Sequence, residues 1–70
     1  MKLKEAVDVA ERAGYNWIAV DDGSIYMYKN KPEIFCGMDE WCSSATSFID
    51  GYYLAEYTGS KQWFNTRRKV

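Results

Sequence analysis

Asp22-Gly23 is the feature that most constrains how this chain folds. It lies between two runs of β-formers, Tyr15 to Asp21 and Ser24 to Lys29. A two-residue Asp-Gly loop is the signature of a type I′ hairpin, whose two central residues take positive φ. Such a loop also fixes register, because each residue's partner follows from counting outward. Asp21 is set against Ser24, Val20 against Ile25, Ala19 against Tyr26, Ile18 against Met27 and Trp17 against Tyr28. One face of the hairpin is then aliphatic (Ile18, Val20, Ile25, Met27) and the other carries Trp17, Ala19, Tyr26 and Tyr28.

The aliphatic face needs a partner, and the preceding segment supplies one. Over about residues 3–13, Leu3, Ala6, Val7, Ala10 and Ala13 recur at helical spacing. Lys4, Asp8 and Arg12 occupy the polar side at four-residue steps with alternating sign. Gly14 follows at the position where a left-handed residue ends a helix.

Beyond the hairpin, expected over about residues 16–29, Asn30-Lys31-Pro32 stops the second strand. Residues 30–47 have no clear period; Ile34-Phe35 is a short-strand candidate and Trp41 an anchor within a polar loop. Asp50-Gly51, after Phe48-Ile49, repeats the hairpin signal. Residues 52–57 alternate as a strand, with Tyr53, Ala55 and Tyr57 on one side and Tyr52, Leu54 and Glu56 on the other. In residues 60–70, Ser60 is a candidate cap for a short turn holding Trp63 and Phe64, and Arg67 to Val70 reads as a frayed basic tail. The expected fold is a single two-layer α+β domain, an N-terminal helix packed on a three- or four-stranded antiparallel sheet.

Seventy residues allow one compact domain and no second. With 17% aromatic residues, most of the large rings are needed to build its core. The ring face of the hairpin therefore reads first as a second core layer under Trp41 or Trp63, and second as a contact surface.

Net charge is −1, which predicts neither a nucleic-acid nor a membrane partner. Its distribution is uneven: residues 33–56 carry −5 and residues 57–70 carry +4. The two segments either attract each other across the fold or face a partner. The N-terminus has no apolar signal core and no stretch reaches membrane-spanning length, so a cytoplasmic chain is expected. In that compartment Cys36 and Cys42 read as thiols.

Catalytic chemistry finds little support. There is no histidine, which removes the usual general base and the commonest metal ligand. Asp21-Asp22 sits at a turn, and neither it nor Asp39-Glu40 forms a convergent acid–base pair. No glycine-rich phosphate loop is present. No enzyme activity, cofactor or metal is expected, which leaves recognition. Trp17, Tyr26, Tyr28 and Trp41 are the candidate contact rings, with Arg67 and Arg68 as rim charges.

The run from Tyr15 to Pro32, with Trp41, Tyr57-Thr58-Gly59 and Trp63, resembles small proteins encoded by tailed bacteriophages and prophages. In these a tryptophan-led strand, an Asp-Gly hairpin, a tyrosine-rich strand and a Lys-Pro stop precede a spaced tryptophan and a closing Gly…Trp. The resemblance spans most of the chain after the helix, and the segment from Cys36 to Ser47, Trp41 apart, lies outside it. It implies a viral accessory or host-interaction role and brings no catalytic residues. The leading expectation is a non-enzymatic accessory protein that binds a protein partner, a host factor or a second copy of itself as a homodimer. The alternatives are a small nucleic-acid-binding module of the same fold, using the aromatic sheet face and the basic tail, and a structural virion component.

Overall fold

A computed structural model describes residues 1–34, 41 and 51–70. Helix α1 spans Leu3–Arg12, and strands β1 and β2 span Trp17–Asp21 and Ser24–Tyr28. Strand β3 spans Tyr52–Glu56, a 3-10 turn spans Trp63–Asn65, and strand β4 spans Arg68–Lys69. The sheet is antiparallel in the order β3-β2-β1-β4, with α1 on one face. This is the two-layer α+β fold that the periodicities predict.

Helix α1 ends where glycine permits it. Ala13 is the last residue of right-handed backbone, and Gly14 takes φ +85°. The Tyr15 N–H then donates to the Ala10 carbonyl at 2.9 Å and the Gly14 N–H to that of Glu11 at 3.1 Å. This is the paired closure of a Schellman motif, which satisfies carbonyls the helix would leave open. Leu3, Ala6 and Ala10 are buried against Ile18, Val20, Ile25 and Met27. Two alanines at the contact let the helix backbone lie close to the sheet. Ala13, expected on the same stripe, is exposed.

The hairpin register is the one counted from the turn, with all five pairs from Trp17–Tyr28 to Asp21–Ser24. Asp22 and Gly23 take φ +50° and +80°, the backbone of a type I′ turn.

Two expectations for the second half require correction. Strand β3 does not alternate evenly: Ala55 pairs with Ile25 and Tyr53 with Tyr26, so Leu54 is an extra residue in a β-bulge. Tyr53 and Ala55 therefore lie on opposite faces, and Leu54 joins the helix-side core. Nor is the tail frayed. Lys69 pairs with Trp17 and Arg68 with Ile18, and the Val70 N–H donates to the Asn16 carbonyl at 2.9 Å.

Past Arg68 the edge of β1 is finished by side chains. The buried Thr66 hydroxyl accepts from the Val20 N–H at 2.8 Å, and the Trp41 indole donates to the Val20 carbonyl at 3.0 Å. Both backbone groups of a fully enclosed residue are thereby paired without a strand beside them. The 3-10 turn that positions Thr66 starts from Gln62 with no side-chain cap, so Ser60 does not have the capping role expected of it. The Asp50-Gly51 turn, Phe35, Phe48-Ile49 and both cysteines include or are residues outside the described ones.

Candidate interaction surface

The face of the sheet away from α1 carries Trp17 and Ala19 from β1, Tyr26 and Tyr28 from β2, and Tyr53 from β3. Its centre is a second core. Ala19, Tyr28 and Trp41 are buried together, with Trp17, Tyr26 and Trp63 packed at their margin. Trp41 meets Trp63 edge-on at 6.1 Å. A Cβ on Gly51 would lie 2.7 Å from the Tyr28 ring, so this ring is covered by backbone that only glycine allows so near.

That packing divides the six candidate contact residues. Tyr28 and Trp41 are 1% and 3% exposed, so these two rings offer no surface to a partner. Trp17 and Tyr26 remain half-buried on the ring face. Trp17 lies under the Lys31 ammonium, 5.8 Å from its ring, and directly across from Lys69. Arg67 stands at the rim, its guanidinium 5.7 Å from the Trp41 ring. It donates to the Pro32 carbonyl and to the Glu33 carboxylate, each at 3.1 Å. Arg68, opposite Ile18, projects toward the helix side and does not share the rim with Arg67. The reason is the pairing of the tail as a strand, which sends successive side chains to opposite faces.

The exposed rings lie elsewhere. Tyr52 and Tyr53 on β3 are 64% and 51% exposed, and Phe64 on the 3-10 turn is 50% exposed. Tyr53 packs edge-on against Tyr26 at 6.0 Å, and its hydroxyl donates to Glu56 at 3.3 Å. The Ser24 hydroxyl donates to the same carboxylate oxygen at 3.4 Å. Desolvation by its neighbours and the adjacent Glu56 charge push the Tyr53 phenol up from its ordinary value. On the helix side, Tyr52 meets Tyr15 at 6.1 Å, and Lys29 lies 4.6 Å from the Tyr15 ring while donating to the Gly14 carbonyl. Even alternation from Tyr52 to Tyr57 concealed this arrangement. The available signal was the unbroken Tyr-Tyr pair, which places one large ring on each face of any strand.

A shallow groove of about 410 Å³ opens beside the 3-10 turn, lined by Glu33, Ile34, Trp41, Phe64, Asn65 and Arg67. Lys31 and Arg67 flank Glu33 at 3.7 and 3.1 Å, which ties the acidic middle of the chain to its basic end. Among the described residues no three His, Cys, Asp or Glu side chains gather as metal ligands, and no helix is long and apolar enough to cross a membrane.

The fold and its surface define a small two-layer α+β domain with an aliphatic core on one side of the hairpin, an aromatic core on the other, and tyrosines outward at β3. A scan of family models and searches of curated proteins and of solved structures each find no match.

Proposed function

We propose that this chain is a non-enzymatic accessory protein of a bacteriophage or prophage, and that it acts by binding a host protein through the tyrosines of β3. The observation that carries the reading is the exposure of Tyr52 and Tyr53, consecutive on edge strand β3 with one ring on each face, in a domain that buries Tyr28 and Trp41 at the centre of its ring face. Tyrosine joins a large apolar ring to a hydrogen-bonding hydroxyl, and for that reason it is frequent among residues that dominate binding energy. Tyr53 is also held in place before any partner arrives, by the Tyr26 ring on one side and Glu56 on the other. A ring already ordered loses less entropy on binding. The lack of histidine, and of any cluster of three acidic or cysteine side chains among the described residues, favours recognition over catalysis. The host partner rests on the resemblance of the hairpin and its spaced tryptophans to small phage proteins.

The test is affinity capture from bacterial lysate with the wild-type chain, Tyr53→Ala and Val9→Ala, the last an exposed position on the helix. A single stoichiometric host protein retained by wild type and Val9→Ala, and lost with Tyr53→Ala, supports the reading. Equal capture by all three chains overturns it, as does capture of nothing.

A further inference from the structure

Charge on the ring face is segregated along the strands. Lys31 and Lys69 lie beside Trp17 at the open end of the hairpin, and Arg67, over the Trp41 ring, joins Lys31 at Glu33. Asp21 and Glu56 lie at the turn end, each opposite Ser24 on its own side. Between Lys31 and Arg67 the single carboxylate of Glu33 neutralises only one of the two cations. Among the described residues this corner is therefore positive, although the chain as a whole is slightly acidic.

The groove adjoins that corner and shares Arg67 and Glu33 with it. Phe64 forms one wall. It is half exposed and braced edge-on by Trp63 at 5.8 Å, which fixes one side of the ring and leaves the remainder open. Asn65, next to it, offers both a donor and an acceptor. The volume falls within the roughly 300–1,000 Å³ typical of small-ligand sites.

An open ring face, an amide that can pair with a base edge, and cations spaced along the adjoining surface form one pattern. We propose that this groove and the basic corner beside it bind single-stranded nucleic acid, with a base stacked on Phe64 and phosphates against Lys31, Arg67 and Lys69. A duplex keeps its base faces stacked inward and cannot use Phe64, whereas an unpaired strand presents them. An acidic peptide would satisfy the cations and leave the ring without a planar partner. This surface lies on the β4 side of the sheet, across from the β3 tyrosines, so it can be tested independently of the protein-binding reading.

The measurement is fluorescence anisotropy of a labelled oligothymidylate with the full chain, started at low salt. Binding should weaken as salt rises, with a log–log slope of about −2, from about 0.7 for each of three phosphate contacts. Phe64→Ala should weaken binding roughly tenfold, the loss of one stacked base. Lys31→Ala and Lys69→Ala, both at exposed positions, should each make the salt slope shallower by about 0.7. A urea midpoint close to that of wild type identifies folded variants, and the lysine pair tests the site even if position 64 does not tolerate alanine. Failure to bind at low salt overturns the proposal, as does equal affinity for polyglutamate, for duplex or for thymidine monophosphate alone. Tyr53→Ala should leave oligonucleotide binding unchanged.

Discussion

At the scale of single residues, Val20 has the most demanding position. Its N–H and carbonyl face an edge of β1 that β4 is too short to reach, and Thr66 and Trp41 complete them. Thr66→Val keeps the shape and deletes the acceptor, leaving a buried N–H unpaired. The expected cost is about 1–3 kcal/mol, seen as a lower urea midpoint at unchanged m-value, with Thr66→Ser restoring most of it. Trp41→Phe should cost at least as much, since it removes the donor and opens space against Trp63. Tyr53 makes a prediction of the opposite kind. Its phenol is raised above the ordinary value of 10.0, by desolvation and by Glu56, so the folded state disfavours tyrosinate. A raised folded value contributes stability that is complete below the unfolded value and is lost as pH rises through the folded one. The Tyr53 ring-carbon resonance should titrate above 10.0, and Tyr53→Phe should flatten the fall in stability over that alkaline range.

At the scale of elements, the hairpin and the tail illustrate two ways of setting a strand. The hairpin is set locally. Gly23 at φ +80° has open space around its Cα, so Gly23→Ala meets no clash and its penalty is conformational alone. That penalty is about 1–2 kcal/mol for a left-handed L-residue, readable in a thermal or urea melt. The tail is set by a remote partner, β1. The Val70 amide, bonded to Asn16, should exchange with solvent water far more slowly than amides of the exposed 58–62 segment that lack such a carbonyl. Deleting residues 68–70 should lower stability by exposing the start of β1. A frayed tail would exchange at the unprotected rate and could be removed without consequence. The bulge at Leu54 is the third case: it bends β3 and disturbs the even ladder that strand-to-strand association between copies would require.

At the scale of the whole molecule, one hairpin separates two cores with different contents. Small and branched aliphatics face α1, and large rings face Trp41 and Trp63. Such a division suits a short chain, because rings bury much area with few residues. It also leaves the sheet with two distinct margins: tyrosines at β3, and cations with Phe64 beside β4. Tyr53→Ala and Phe64→Ala should each cost about 0.5–1.5 kcal/mol, the worth of the one aromatic pair each removes, and leave the domain folded. Circular dichroism of the two variants should superimpose on wild type, with urea midpoints only slightly lowered, while their binding defects differ.

How much of this was legible in the sequence depends on the range of the interaction. The helix, its glycine stop, the turn and every pair of the first hairpin follow from residues within a few positions of one another, and each was readable. The division of the sheet into aliphatic and ring faces followed from the same register. The bulge was not readable, because an extra residue in β3 is defined only against β2. The strand character of Arg68-Lys69 was hidden too, since two charged residues have no period and pair only because β1 offers a free edge. The candidate surface divides along the same line: Trp17, Tyr26 and Arg67 keep part of their surface on the ring side, while Tyr28 and Trp41 lie in the core beneath it and Arg68 on the other face. The sequence alone determined which side chains share a face of the hairpin, because a two-residue turn leaves one register. Only the tertiary structure decided which of those side chains stay in contact with water, because burial depends on what distant segments bring over them.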